Sequence, residues 1–121
     1  MSVLGGSVGR GGVNGAGDAR LVQHLLNDSR GRLNQVLLAV DGVAGPKTIA
    51  AIELYQRTNA LVSDGRVDRN GATIKHLVTG HLTAVSRGVV SFGVPAPQIP
   101  KFDPATTSQA FAAYFEALKK A

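Results

Sequence analysis

Two Asp-Gly pairs, Asp41-Gly42 and Asp64-Gly65, each run into a helix-starting Thr-Ile, and this repetition constrains the chain more than any other feature. The first copy reads Val40-Asp41-Gly42-Val43-Ala44-Gly45-Pro46-Lys47-Thr48-Ile49. Ser63-Asp64-Gly65-Arg66-Val67-Asp68-Arg69-Asn70-Gly71-Ala72-Thr73-Ile74 repeats that order in a slightly longer form. Asp-Gly favours a tight turn, since the carboxylate can bond the backbone ahead of it and glycine accepts positive φ. Each turn is expected to aim a valine inward and to cap the helix that follows. A chain punctuated in this way alternates short helices with tight turns.

The apolar spacing supplies those helices. Leu21, Val22, Leu25 and Leu26 form one stripe, predicting a helix over Ala19–Asp28 with Asp18 as its N-cap. Ser29 to Gln35 reads as a polar loop, and Val36 to Val40 is an apolar run too short to assign to helix or strand. Gly45-Pro46 opens a second helix, Pro46–Thr58, carrying Ile49, Ile52 and Tyr55, with Asn59 as a left-handed C-cap. Ile74, Leu77, Val78, His81, Leu82 and Val85 define a third helix, in which Gly80 costs about 1 kcal/mol relative to alanine. Pro95, Pro97, Pro100 and Pro104 impose an extended connector. Asp103-Pro104 then starts a last helix bearing Phe111, Phe115 and Leu118, closed by Lys119 and Lys120 at the negative end of its dipole. The expected organisation is a Gly-rich lead-in (1–17), an all-α domain (18–87), a Pro-rich connector (88–104) and a C-terminal helix (105–121).

Composition narrows the function classes. The 121 residues are 44% hydrophobic but only 5% aromatic, so the core must be aliphatic. With no cysteine, disulfide scaffolds, thiolate metal sites and cysteine nucleophiles are excluded. No apolar stretch is long enough to cross a membrane, so no membrane insertion is expected. Met1 to Gly17 lacks the continuous apolar core of a secretory signal, which leads to the expectation of synthesis in the cytoplasm and of export, if any, by another route. A net charge of +5 favours anionic partners. The basic residues are scattered and no aromatic–basic interleaving occurs, which argues against specific nucleic-acid binding.

No constellation points to catalysis. Glu53 and Glu116 are the only glutamates and fall on different helices, whereas a glycosidase needs two carboxylates flanking one bond. His76 and His81 are five residues apart, about 140° around a helix, which is the wrong spacing for a metal pair. His81 reads as a core or rim histidine. The Asp-Gly turns lack the alternating ligands and closing Glu of a calcium loop, and the glycines at the N-terminus lack the Lys-Ser/Thr ending of a phosphate loop. The expectation is no catalytic residue, no metal and no cofactor.

The order of motifs resembles the peptidoglycan-binding domain family, small three-helix modules attached to bacterial cell-wall enzymes. The resemblance rests on Asp18, Val22-Gln23 and Leu25-Leu26-Asn27; on Val40-Asp41-Gly42, Gly45-Pro46-Lys47-Thr48, Ala51 and Tyr55-Gln56-Arg57; and on Leu61, Asp64-Gly65, Val67, Thr73 and Leu77. It spans about Asp18 to Leu77. Ile74 stands where the family usually has Trp, and Tyr55 where it usually has Phe. Ser7 to Gly12 and Ser63 to Asp68 also look like a branch found with cell-wall-degrading effectors of type VI secretion, which implies export by that route to the periplasm of a target cell.

The resemblance implies a non-catalytic module that binds peptidoglycan or a muropeptide and positions a hydrolase or a secreted effector. Gln23, Tyr55, Gln56, Arg57 and Asn59 offer the amides, hydroxyl and cation such a ligand needs. Asp18, Asp41, Gly42, Gly45, Pro46, Thr48, Asp64, Gly65 and Val67 are the structural motif. A rival reading keeps the fold but binds an effector, a secretion spike or a second copy; a small cell-wall hydrolase is a third. Phe111, Tyr114 and Phe115 are expected to fold back on the core, or alternatively to dock in a partner.

Overall fold

The stripe Leu21, Val22, Leu25 and Leu26 lies on a helix so enclosed that residues 21–28 are buried all round. In the computed structural model of the chain, residues 3–86 and 115–120 are described. They contain α1 (Ala16–Arg32), α2 (Pro46–Thr58) and α3 (Ala72–Ser86), and a short antiparallel ladder of β1 (Val8–Gly9) and β2 (Arg66–Val67) in which Val8 faces Val67. Residues 115–120 are helical as well. The protein is thus helix-rich with little strand. α1 is the central element, packed by both α2 and α3, and Ile52, Ile74 and Leu77 close over it. Each fully buried Leu or Ile contributes roughly 1.5–3 kcal/mol.

Several local expectations change. α1 starts at Ala16 and continues to Arg32, so 29–32 are helical and not loop. Its N-cap is Gly15, with no side-chain cap, and Asp18 sits in the first turn. The Asp18 carboxylate instead accepts the backbone N–H of Gly5 (3.0 Å) and of Gly6 (3.1 Å), and pairs with Lys119 Nζ at 3.2 Å. It ties both ends of the described chain to α1. The Gly-rich opening is accordingly part of the core: Leu4 and Val8 are buried and β1 pairs with β2. α2 has the expected bounds, but Asn59 has φ −106°, and the left-handed residue is Ala60, at φ 57°. Asn59 uses its amide to bond the Tyr55 carbonyl at 2.8 Å.

Phe115 and Leu118 are buried in the same core, and Arg20 donates to the Lys119 carbonyl at 3.1 Å. The Phe115 ring lies 6.2 Å from that of His81, which is buried and pairs with the buried Asp28 at 3.1 Å. The connector 88–104, the Asp103-Pro104 start, Phe111 and Tyr114 lie outside the described residues.

The two Asp-Gly turns are held by two buried glutamines, each 1% exposed. Gln23 Nε2 lies 3.0 Å from Asp41 Oδ1, 3.0 Å from the Val43 carbonyl and 3.1 Å from Thr48 Oγ1. Its Oε1 accepts the N–H groups of Asp41 (3.1 Å) and Gly42 (3.0 Å). Gln56 does the same for the second turn: Nε2 reaches Asp64 Oδ1, the Arg66 carbonyl and Thr73 Oγ1, at 3.0, 3.0 and 3.1 Å, and Oε1 accepts from Gly65 at 3.0 Å. Each Asp also accepts the N–H two residues on, from Val43 and from Arg66. Gly42 and Gly65 both sit at positive φ, 74° and 71°, where a side chain is strained.

This bonding sets the true alignment of the two copies. Val43 matches Arg66, and Ala44 matches Val67. Val67 is therefore buried, whereas Val43 is 61% exposed and does not point inward as expected.

Truncating either glutamine strands two buried partners, the glycine N–H of the turn and the threonine hydroxyl of the next helix, each costing about 1–3 kcal/mol when unsatisfied. Gln23→Ala and Gln56→Ala should each lower unfolding stability by about 2–4 kcal/mol in urea titrations. Arg57→Ala, on the exposed face of α2, should stay within about 0.5 kcal/mol.

The aspartates add a pH dependence. The N–H of Val43 and the Gln23 amide hold the Asp41 carboxyl below its ordinary pKa. At Asp64, desolvation works in the opposite direction, but the N–H of Arg66, the Gln56 amide and the Arg66 charge outweigh it, and its pKa is lowered too. Depressed carboxylate pKa values contribute stability that is complete above the unfolded value, near 3.9, and lost as pH falls through the folded value. Urea midpoints should therefore decline as the pH falls below about 4, less steeply in an Asp41→Asn/Asp64→Asn variant.

Candidate functional site

The apolar run after α1 is neither helix nor ladder. Residues 36–39 share a cavity with α2, and the segment is held at three points from α1. Arg30 Nε donates to the Val36 carbonyl at 2.6 Å. Asn27 grips Leu38 from both ends of its amide, accepting its N–H at 2.7 Å and donating to its carbonyl at 2.9 Å. Gln23 then holds the turn at Asp41 and Gly42. Leu38 packs on the core, and Leu37 and Ala39 are exposed.

Between this segment and α2 lies an open groove of about 860 Å³. Val36, Leu37 and Val43 form its loop wall, and Ala50, Ala51 and Leu54 its helix wall. Four of these are large apolar side chains left in solvent, Val36 being 82% exposed. Two cations line it, Arg30 and Lys47. Asp41 lines it also, but its carboxylate is occupied by Gln23 and Val43. Lys47 stands in the first turn of α2, which holds no acidic residue, so its charge adds to the positive end of the helix dipole. The groove is apolar in its walls and positive in its field.

A smaller pocket of about 20 Å³ adjoins it, sharing Arg30, Ala51 and Leu54, and is completed by Gln35, Tyr55 and Asn59 among others. Two of the five residues expected to meet a ligand, Tyr55 and Asn59, are thus brought to one site. The Tyr55 hydroxyl bonds His76 Nδ1, and the two rings meet edge-on at 5.5 Å. Arg57 lines neither cavity. Gln23 and Gln56 are in the interior, where the turns use both ends of their amides; they shape the site and present nothing to its surface. Arg30, Lys47 and Leu54 were not anticipated. The one signal for them was an apolar run too short to be a helix, next to a helix start carrying a lysine.

A second cleft of about 200 Å³, lined by Val3, Arg69, Asn70, Ile74, Lys75 and Val78 with Thr79, lies on α3. Among the described residues no group of three His, Cys, Asp or Glu could hold a metal ion, and no helix is long and apolar enough to cross a membrane.

Residues 16–74 match the family model of the putative peptidoglycan binding domain. The matched stretch runs from the first residue of α1 into the first turn of α3, and so contains both glutamine-held turns and every residue named above for the groove and its adjoining pocket. The match is to the family at large, and nothing in it singles out the type VI secretion branch. Comparison with curated proteins and with solved structures returned no match.

The walls of the groove hold their shape through Asn27. Asn27→Ala should free Leu38, leaving two main-chain groups without their partner, and lower stability by about 1–3 kcal/mol. Hydrogen exchange at the Leu38 amide, faster in the variant than in the parent while Ile52 stays protected, would show that the change is local.

Proposed function

We propose that this protein is a non-catalytic peptidoglycan-binding module whose ligand site is the groove along α2, and that it positions a hydrolase or a secreted effector at the cell wall. The observation that carries the reading is the position of the groove. At about 860 Å³ it exceeds both the α3 cleft and the adjoining pocket, and its walls fall wholly within the stretch that matches the putative peptidoglycan binding domain. Its chemistry suits the ligand: cations from Arg30 and Lys47 and apolar walls for the methyl groups of a muropeptide, with the Gln35 amide in the adjoining pocket. The glutamates support a binding role over a hydrolytic one. Glu53 is engaged by Arg10 and Glu116 by Lys119, each carboxylate being matched to a cation and remote from the other in sequence.

Co-sedimentation with washed sacculi tests this. The protein should pellet in a manner that survives high salt, because apolar contacts in the groove are not screened. Leu54→Asp should reduce pelleting by about tenfold, whereas Arg57→Ala should leave it unchanged. Pelleting abolished by salt, or undiminished in Leu54→Asp, would contradict the groove as the site. No pelleting at any salt would contradict peptidoglycan binding and favour a protein partner.

A further inference from the structure

We infer that the groove takes the stem peptide of peptidoglycan and not its glycan strand; this rests on the reading of the groove as the wall-binding site. Three independent features of the groove point to an anionic, small-side-chain peptide.

The first is the nature of the walls. Sugar rings present C–H faces that pack best on aromatic planes, and no residue lining the groove is aromatic. Tyr55 belongs to the adjoining pocket, where its hydroxyl is bound to His76. Val43 and Leu54 instead offer aliphatic contact of the kind that suits alanine methyls.

The second is charge. Arg30 and Lys47 both line the groove, while the one carboxylate there, Asp41, is already bonded. Lys47 makes no ion pair among the described residues. A glycan strand in which the stems are attached through amides carries no anion to meet two cations. The stem carries free carboxylates, and it is they that complement the groove.

The third is the main chain. Asn27 occupies both the N–H and the carbonyl of Leu38. The exposure of Leu37, Leu38, Ala39 and Val40 alternates outward and inward, as in an extended chain. Among the described residues, the backbone groups of Leu37 and Ala39 make no hydrogen bond. Leu38 faces α1, so its neighbours turn their N–H and carbonyl groups away from α1. They form a short receiving edge on which another peptide can lie, its amides bonded to Leu37 and Ala39 and its carboxylates toward Arg30 and Lys47.

Titrations with a free stem tetrapeptide and with soluble stem-free glycan strands, their lactyl carboxylates capped as amides, each also used to compete against pelleting on intact sacculi, test the inference. The tetrapeptide should bind and should displace the protein from intact sacculi, whereas the capped glycan strands should do neither. Amidation of the peptide carboxylates should weaken binding about tenfold, and so should Lys47→Gln, as expected for loss of a charge-assisted hydrogen bond. In the Lys47→Gln variant, amidation should matter less than in the parent, which a merely structural role of Lys47 would not produce. Displacement from intact sacculi by the capped glycan strands, with none by the tetrapeptide, would overturn the stem-peptide assignment and leave wall binding standing. An unchanged response to amidation in Lys47→Gln would overturn the role given to that lysine. Failure to pellet on intact sacculi would overturn the wall-binding reading itself.

Discussion

A buried primary amide is the interaction on which the rest of this structure depends. Gln23 and Gln56 project from two helices into the interior, and each finds there a turn, an aspartate and a threonine of the next helix. A side-chain amide has two donors and an acceptor with two lone pairs, and the Asp-Gly turn offers the complement. An unsatisfied amide in that position would cost about 1–3 kcal/mol, a large share of the net stability of a small domain. The bonds therefore fix where α2 and α3 begin relative to the helices before them. The two turns also share a chemistry that explains why aspartate and glycine occur together: the carboxylate closes the turn on itself, and the glycine accepts a backbone conformation strained for other residues.

What the first of these turns positions is the groove. The chain from Val36 to Val43 cannot collapse onto α2, because Arg30, Asn27 and Gln23 hold it from the side of α1. Its apolar side chains are then divided. Leu38 and Ala44 pack on the core, while Val36, Leu37 and Val43 remain outside facing Leu54. Single exposed apolar residues are ordinary, but several gathered along one cavity mark a binding surface. Arg30 and Lys47 give that surface its sign. The second turn builds nothing comparable: Val67, in the place of Ala44, is fully buried and paired with Val8, so the N-terminal segment covers the equivalent position.

Much of the architecture was legible in the sequence because it is local. Pro46 at a first helical position and the spacing of Ile49, Ile52 and Tyr55 mark α2 with its observed bounds. The spacing of Ile74 and Leu77 marks α3. What sequence spacing does not show is long-range pairing. Asp18 has the look of an N-cap, yet its partners are Gly5, Gly6 and Lys119, the last of them about a hundred residues away. The ladder of Val8 with Val67 is two residues long, too short to leave an alternating pattern. The site was legible in part. A glutamine on an amphipathic helix can face a ligand or the interior, and only the partners decide; Gln23 and Gln56 face the turns. Tyr55 and Asn59 line the pocket beside the groove, whereas Arg30 and Lys47 gain their meaning from the loop that three α1 side chains hold against them.

The most direct test of this account is a map of backbone amide shifts in the isotope-labelled protein as soluble muropeptides are added. The account predicts that the perturbed amides cluster along Val36 to Ala39, Lys47 and Leu54 to Asn59, with Ile52 and the interior of α3 unmoved. Perturbations confined to the α3 cleft, around Arg69 and Lys75, would contradict it, and so would shifts scattered with the positive charge of the surface.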